Sequence, residues 1–352
     1  MSAHTPGPGQ PTPAGPADGD DGDGHGVIGA AVGAGPDGGN ARPHSWRSWQ
    51  SWRSPRRGWV TASAALLLAL LLVGHRYVPD VLTVGTLVDS AVPWFGVFVV
   101  PLLMVALLRR SLVALAAVLV PALVWSVMFV PAMLRSPVGG AYDLRVAEQN
   151  LYAGNASPTQ AAASLAGTGA DVIGLEEVTD TTAPALQSAL GAHYPYVIRV
   201  STLELWSKYP LGSWSAVYVG LGWTRALHTT VTTPHGSVSL YLAHLDSFRF
   251  DSDSTRDAGL TDLGATVRAD SSAHVLVLAD LNTASTDRHF SDLSPLADAQ
   301  TQAAGLGFSW PSPFPLVRPD HVMVRGIAVA DAWTIAGPGS DHRGTMANLQ
   351  VA

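Results

Sequence analysis

The 352-residue sequence contains no cysteine, which excludes disulfide bonds and thiolate metal sites. Charged residues are also few, 13% against 47% hydrophobic residues, whereas about a quarter of a soluble globular protein is charged. That deficit indicates a membrane segment. Acidic residues outnumber basic ones in the C-terminal part: from Asp143 onward there are eleven Lys plus Arg and twenty Asp plus Glu, a formal net charge of −9. Because duplex DNA binders present Lys- and Arg-rich faces, this balance disfavours tight nucleic-acid binding.

Three long apolar runs account for the hydrophobic excess. They predict membrane spans near residues 60–78, 85–108 and 112–134, because each run offers the roughly 20 apolar residues that cross a bilayer. Asp89 in the second run could mark a transport path, but its place near the end of the span favours an interfacial residue. Residues 46–135 are therefore predicted to form a membrane anchor, with residues 136–142 as a linker.

The N-terminal residues 1–45 are rich in Gly, Pro, Ala and Asp and predict a disordered tail, because they lack the apolar side chains needed for a core. Five arginines precede the first apolar run, and Arg109 and Arg110 separate the second from the third. The loop between the first and second runs contains a single basic residue, Arg76. This bias predicts a multi-pass protein of the cell membrane with a cytoplasmic N-terminus. With three crossings the C-terminal domain lies outside the cytoplasm, whereas with two crossings it lies in the cytoplasm.

The segment from Val275 to Asn282 contains two candidate metal-ligating residues. Its apolar first half is typical of a strand buried on both faces, and it ends in Asp280-Leu281-Asn282. In an extended chain residues i and i+2 point to the same side, so a carboxylate and an amide oxygen leave the core together. Such oxygen ligands suit Mg²⁺, Mn²⁺ or Ca²⁺. The alternative is that Asp280 and Asn282 only begin a turn.

Polar residues recur at the ends of other strand-like segments. The further examples are Glu148-Gln149-Asn150, Glu176-Glu177, His244, Asp320 and Ser340-Asp341-His342. Together these motifs resemble the endonuclease/exonuclease/phosphatase superfamily, the metal-dependent phosphodiesterases that include DNase I-like nucleases, inositol-phosphate phosphatases and sphingomyelinases. The resemblance covers residues 143–352, and the motifs occur in the family's order. Mild departures are Ala279 and Leu281, where the family usually has Gly and Phe, and Glu176, where it usually has Gln.

The resemblance implies an α+β fold, a DNase I-like four-layer α/β/β/α sandwich. This catalytic domain would occupy residues 143–352, after the disordered tail and about three transmembrane helices. From the residue pattern we expect helices at 159–167, 180–190 and 255–268, and strands at 214–221, 226–232 and 237–244.

The resemblance also assigns candidate roles. The catalytic candidates are Asp280, His342, Asp320 and His244. The candidates for contact with the substrate phosphate are Asn282, Asn150 and His244. The candidate ligands of Mg²⁺, or of Mn²⁺ or Ca²⁺, are Glu177, Asn150 and Asp341. Glu176 is expected to be solvated or to buttress Glu177, and Tyr218 and Arg225 are candidates for a further phosphate contact.

These observations predict a membrane-anchored, divalent-metal-dependent phosphoesterase. A lipid head-group phosphodiester or another small phosphodiester is the favoured substrate, because a single metal ion can neutralise its charge. One alternative is a metal-dependent endonuclease or exonuclease, and another is a catalytically silent membrane scaffold or binding module. The expected partners are the bilayer and a phosphate-ester substrate, and no protein partner follows from the sequence.

Overall fold

A computed structural model of the chain describes residue 56 and residues 58–136, 139–249 and 254–351. The predicted N-terminal tail lies outside the described residues, and so does most of the Trp- and Arg-rich stretch that follows it.

Helices form the N-terminal part of the described chain. The α-helices are α1 (Trp59–Gly74), α2 (Val84–Ala91), α3 (Val99–Leu108) and α4 (Leu112–Leu134), with 3₁₀ turns at His75–Tyr77, Val81–Thr83 and Val92–Phe98. Three stretches are long and apolar enough to cross a membrane: Trp59–Tyr77, Val81–Leu108 and Leu112–Leu134. Gly58, before α1, lies against Ser111, whose hydroxyl caps the start of α4. The helices α1 and α4 therefore begin at the same end of the bundle.

The second stretch is bent at its start. Leu82 and Thr83 have left-handed φ angles of 53° and 61°, and α2 follows them. The 3₁₀ turn at Val92–Phe98 and helix α3 together extend about 29 Å at about 2.0 and 1.5 Å per residue, close to the thickness of a bilayer's hydrocarbon core. These two elements are long enough to cross the bilayer without α2, which is therefore an additional helix at the end of this span. Asp89, expected to be interfacial, is fully buried there and paired with other side chains.

Two six-stranded sheets make up the C-terminal domain. In the order of its strands, the first sheet contains β11 (Ala328–Ile335), β12 (Gly344–Gln350), β1 (Leu144–Asn150), β2 (Val172–Glu176), β4 (Leu203–Ser207) and β3 (Tyr196–Val200). The second contains β5 (Ser215–Ala216), β6 (Ala226–Thr233), β7 (Gly236–His244), β8 (Val275–Asp280), β10 (Asp320–Arg325) and β9 (Ala297–Asp298). The pairs β1–β2 and β7–β8 are parallel, and the other pairs are antiparallel.

Helices cover both sheets on the outside. Helices α5 (Pro158–Ala166) and α6 (Ala183–Leu190) pack on the first sheet, and α7 (Ser254–Ala269) packs on the second. The inner faces share a core that includes Val146, Val172, Leu242 and Leu278. Gly174 on β2 leaves room for this contact, because a Cβ atom there would meet the side chains of Leu242 and Leu278. The predicted four-layer α/β/β/α sandwich is confirmed.

The local predictions mostly agree with the observed elements. The three predicted helices correspond to α5, α6 and α7, and two predicted strands correspond to β6 and β7. The strand predicted at 214–221 is wrong beyond Ser215–Ala216. The apolar residues Val217 and Val219, which suggested a strand, instead pack in the same cluster as Leu260 of α7.

Candidate active site

The ends of strands from both sheets meet at one edge of the sandwich. β7 and β8 are parallel and end side by side at His244 and Asp280, and the antiparallel β10 begins opposite, at Asp320. In the first sheet the parallel strands β1 and β2 end together at Asn150 and Glu176. The apolar runs thus carry polar residues more than a hundred positions apart in sequence to one edge.

Asp320 and His342 form a buried pair. The Nδ1 atom of His342 lies 2.9 Å from Oδ2 of Asp320, and the Ser309 hydroxyl donates to the same oxygen at 2.5 Å. The His342 backbone nitrogen donates to the Ser340 hydroxyl oxygen at 3.0 Å, which fixes the turn that carries the ring. Because Nδ1 faces Asp320, the Nε2 atom of His342 points to Asp280, whose Oδ2 lies 4.0 Å away.

Asn150 joins Asp280 to Glu177. Its amide nitrogen donates to Asp280 Oδ2 at 2.9 Å and to Glu177 Oε1 at 3.1 Å. The backbone nitrogen of Ala153 holds the other Glu177 oxygen at 2.7 Å. His244 completes the group, with Nε2 3.6 Å from Asp280 Oδ2 and 3.8 Å from Glu177 Oε1.

Two of these site residues have left-handed backbone conformations. Glu177, directly after β2, has a φ of 54°, and Asn282, after β8, has a φ of 50°. Residues other than glycine adopt this backbone conformation infrequently, and those that do are concentrated at functional sites. The Asn282 backbone nitrogen donates to Asp280 Oδ1 at 2.9 Å, and its amide donates to the Leu245 carbonyl at 3.2 Å. These turns direct both side chains to the same edge as Asp280.

The two site histidines carry different charges at neutral pH. Burial alone would lower the pKa of His342, but the Asp320 and Asp280 carboxylates outweigh it, and the pKa rises to about 10. Burial lowers the pKa of His244 to about 4, although the Asp280 carboxylate opposes the change. His342 is therefore an imidazolium and His244 a neutral imidazole. Environments that push the pKa values of neighbouring groups apart are typical of sites that move protons.

A pair of buried carboxyl groups lies beneath the site and was not assigned a role from the sequence. Glu148 is on the same face of β1 as Asn150, and Glu176 is on the same face of β2 as Gly174, so both point between the sheets. Burial and the charge of Glu176 raise the pKa of Glu148 well above its usual range. Burial and the charge of Asp280 do the same for Glu176. The expectation that Glu176 is solvated is wrong, and the alternation along β1 and β2 could have shown this.

A cavity of about 400 Å³ opens in front of these side chains. The site residues that line it are Asn150, Glu177, Asp280, Asn282, Asp341 and His342. Asp341 accepts a hydrogen bond from Trp310 Nε1 at 3.2 Å.

Neither of the two mid-domain candidates for a phosphate contact lines this cavity, although Arg225 is near enough to Asp280 and Glu177 to interact with their charges. Tyr218 is 68% exposed, and Arg225 donates to the backbone carbonyls of His244 and Leu245. The buried Arg256 does line the cavity, and it pairs with Asp257 at 2.5 Å. Arg256 is the third residue of α7 and belongs to no sequence motif, so no signal in the sequence indicated it.

The donor set fits a divalent cation. Three carboxylates, from Glu177, Asp280 and Asp320, lie around the two histidines. Neither ring nitrogen of the buried His244 has a hydrogen-bond partner among the described residues. Possible ligand atoms of Asp280, Asp320 and His342 lie within 4.8 Å of one another. However, an imidazolium bonded to Asp320 has no lone pair to offer a metal. The chemistry therefore favours the oxygens around Glu177, which is 26% exposed at its side chain, as cation ligands.

A known protein family matches the part of the chain that contains these residues. The model of the endonuclease/exonuclease/phosphatase family matches residues 147–342. Among curated proteins, no sequence matches the chain significantly.

Solved structures share the fold of the C-terminal domain. An endonuclease/exonuclease/phosphatase from Bacteroides vulgatus is 14% identical, with a TM-score of 0.51, over 60% of this chain and 100% of that chain. A mannosyl-6-phosphatase from Bacteroides thetaiotaomicron is 15% identical, with a TM-score of 0.51, over 58% of this chain and 99% of that chain. Truncated TDP2 from Caenorhabditis elegans is 18% identical, with a TM-score of 0.51, over 59% of this chain and 97% of that chain. At these identities the likeness shows the fold alone.

Proposed function

Because the chain belongs to the endonuclease/exonuclease/phosphatase family, we propose that it is a membrane-anchored phosphoesterase that depends on a divalent metal ion. Members of this family are hydrolases of phosphate esters and depend on divalent metals. The observation that carries the proposal is the continuous contact from Asp320 through His342, Asp280 and Asn150 to Glu177, at the edge of the cavity. The family's charged and amide groups are thus present and in contact with one another.

The cation site that we propose comprises Glu177, with Asn150 and Asp341 as further ligands. A divalent ion bound there would neutralise the phosphate and polarise its P–O bond. Mg²⁺ is the first candidate, with Mn²⁺ and Ca²⁺ as alternatives, because all three bind oxygen ligands.

The remaining residues bind and orient the reactants. We assign to Asp280 the orientation of the attacking water, since its carboxylate lies between Asn150 and the two histidines. We assign to Asn282, Asn150 and His244 the contacts with the phosphate oxygens. Since His244 is neutral, its Nε2 can donate one hydrogen bond to an oxygen without repelling a cation.

His342 stabilises negative charge in the transition state. Its Nδ1 proton is held by Asp320, so its Nε2 proton faces Asp280 and the cavity. An imidazolium with a pKa of about 10 is a poor base at neutral pH but a good donor to the oxyanion that develops at phosphorus.

The substrate class that we favour is a phosphodiester of a lipid head group or another small phosphodiester. The formal charge of −9 from Asp143 onward opposes binding of a polyanion. The alternative activity, that of a nuclease, requires the cation to offset this repulsion.

The decisive experiment measures turnover by the full-length protein in nanodiscs. The substrates are bis-p-nitrophenyl phosphate, phospholipids and plasmid DNA, each with Mg²⁺, Mn²⁺ or Ca²⁺. We expect hydrolysis of at least the small diester, and its loss in EDTA. Turnover that survives EDTA would refute the metal assignment, and no turnover with any substrate and metal would favour a silent scaffold.

We further propose that the C-terminal domain is extracytoplasmic. The start of α1 lies next to the start of α4, near Arg109 and Arg110, whereas Ala132 at the other end of α4 contacts Gly305 of the domain. The arginine-rich end is the cytoplasmic one by the positive-inside rule.

Since the chain has no cysteine, single-cysteine labelling can test this topology. A membrane-impermeant maleimide should label Ser136→Cys in intact cells and Ser2→Cys only after lysis. The reverse pattern would place the domain in the cytoplasm.

A further inference from the structure

Helix α2 is fixed to the C-terminal domain by a buried charge cluster. Asp89 is completely buried, and its Oδ2 accepts from Nε and from the backbone nitrogen of Arg288 at 2.8 and 3.1 Å. Its Oδ1 lies 2.7 Å from Nδ1 of His75, just after α1. The Thr286 hydroxyl donates to the Asp89 carbonyl at 2.6 Å. Arg288 also donates to the Val78 carbonyl at 2.7 Å, so it ties the domain both to α2 and to the loop between α1 and α2.

Contacts on either side of this cluster hold the same arrangement. The Trp94 ring nitrogen donates to the Leu316 carbonyl at 2.7 Å, and its ring stacks on Phe308 at 5.7 Å. The backbone nitrogen of Gly305 donates to the Ala132 carbonyl at 2.9 Å. The loop from residue 305 to residue 317 therefore rests on the membrane segment. These contacts form a junction between the membrane segment and the domain, and removal of Arg288 would leave the buried carboxylate of Asp89 without its main counter-charge.

The junction brings α2 to the active-site cavity. Leu87 and Ser90, which lie three residues apart and hence on the same face of the helix, line the same cavity as Asp280 and His342. Phe248, Trp310 and Val317 add apolar surface to it. The cavity thus has a polar end at the strand termini and an apolar wall supplied partly by the membrane segment.

We infer that α2 is part of the substrate-binding site, and that Leu87 and Ser90 contact the apolar portion of a phosphate ester that resides in the membrane. This inference rests on the proposed phosphoesterase function and names its substrate class as lipids. α2 directly precedes a span of bilayer length, so the mouth of the cavity lies at the bilayer boundary. Other exposed apolar side chains include Leu82 and Trp94, which flank α2 in the sequence, and Phe314. A lipid can leave its acyl chains against this surface while its phosphate reaches Asp280.

Asp89 and Arg288 are positioning residues in this arrangement. They do not line the cavity, but they hold the helix that presents Leu87 and Ser90.

The test compares two competitors that differ only in their acyl chains. Full-length protein in nanodiscs hydrolyses bis-p-nitrophenyl phosphate while either dihexanoyl phosphatidic acid or glycerol 3-phosphate is added. We expect the acyl chains to lower the inhibition constant at least tenfold in the wild type. The variant Leu87→Trp, which fills the apolar end, should lose most of that gain. The matched control is Val88→Trp, one residue along and outside the cavity lining, and it should keep the gain.

Alkylation provides a second readout that needs no turnover. In the cysteine-free chain, Ser90→Cys is treated with N-ethylmaleimide in EDTA, and the adduct is quantified by mass spectrometry. Dihexanoyl phosphatidic acid should slow modification of Ser90→Cys several-fold, and glycerol 3-phosphate should slow it less. Val88→Cys should show no protection.

The outcomes separate the two levels of the proposal. Protection of Ser90→Cys without hydrolysis of any ester would support the lipid site and refute the enzyme. Hydrolysis without an acyl-chain gain, with equal effects of Leu87→Trp and Val88→Trp, would overturn the inference and leave the enzyme standing. Stronger competition by a single-stranded oligonucleotide than by the lipid would also overturn it.

Discussion

Replacing Asp320 with Asn tests the charge state assigned to His342. The substitution keeps the shape of the side chain and removes the carboxylate that lies 2.9 Å from Nδ1. The difference between the usual pKa of 6.5 and the pKa of about 10 corresponds to about 5 kcal/mol in favour of the imidazolium. Without Asp320, burial still lowers the pKa of His342, and Asp280 is left to oppose it. The pKa of His342 must therefore fall.

The sign of the effect follows from which form is active. Activity that requires the imidazolium is present below the pKa of His342 and is lost as pH rises through it. In the wild type the upper limit should lie near pH 10, and in Asp320→Asn it should move down by several pH units. If the pKa falls to 6.5, only about one molecule in thirty carries the imidazolium at pH 8. We therefore expect the ratio of the variant's kcat/KM to that of the wild type to fall about thirtyfold between pH 5 and pH 8.

The same pair affects stability in the same direction. A pKa raised in the folded state contributes stability that is complete below the unfolded value near 6.5 and is lost as pH rises through about 10. Thermal unfolding of the wild type in nanodiscs should show this loss between those limits, and Asp320→Asn should lack it.

A second buried pair supplies the control. Asp298 lies 2.9 Å from Nδ1 of His321, outside the residues that line the cavity. Asp298→Asn should lower the unfolding temperature without moving the upper pH limit of activity. An upper limit that is the same in Asp320→Asn and the wild type would refute the pairing of Asp320 with a catalytic imidazolium.

Two further substitutions test the cation site and the junction. Glu177→Gln should fold normally and lose at least about a hundredfold in kcat, because an electrostatic contact of this kind contributes about 3 kcal/mol or more. Retained activity would exclude Glu177 as a ligand. Gly85→Ala should destabilise the protein by about 1–3 kcal/mol, because the new Cβ would collide with the Arg288 guanidinium. The collision would displace the guanidinium from the buried Asp89, which would lose its ion-pair partner. Gly74→Ala, whose Cβ would meet no atom within 4 Å, is the control for Gly85→Ala in thermal unfolding, and equal unfolding temperatures would contradict the junction.

Strand β8 was predictable because it is an apolar run, whereas the four-layer architecture of the domain was implied by the resemblance to a known family. Val275 to Ala279 has to be buried on both faces, and a carboxylate that follows such a run has to emerge at a sheet edge. Asp320 and His342, which the resemblance named as catalytic candidates, lie 2.9 Å apart.

Other features depend on contacts that leave no local pattern. Glu176 and Glu177 are adjacent and chemically alike, yet Glu176 is buried between the sheets while a left-handed φ turns Glu177 to the cavity. Arg256 reaches the cavity from the first turn of α7. The buried ion pair of Asp89 left no local pattern, because its partner Arg288 lies 199 positions further along the chain. Only the fold brings these pairs together.

The charge balance and the position of α2 point to the same source of substrate affinity. A domain with a formal charge of −9 gains little from additional phosphates, because each one adds repulsion that a single cation does not offset. Affinity must then come from the non-phosphate part of the substrate, and burial of an apolar group contributes about 25 cal/mol for each Å² removed from water. The cavity offers such surface where Leu87, Phe248 and Val317 lie opposite the charged end. The membrane segment therefore does more than hold the domain at the bilayer: it completes the part of the site that can distinguish one phosphate ester from another.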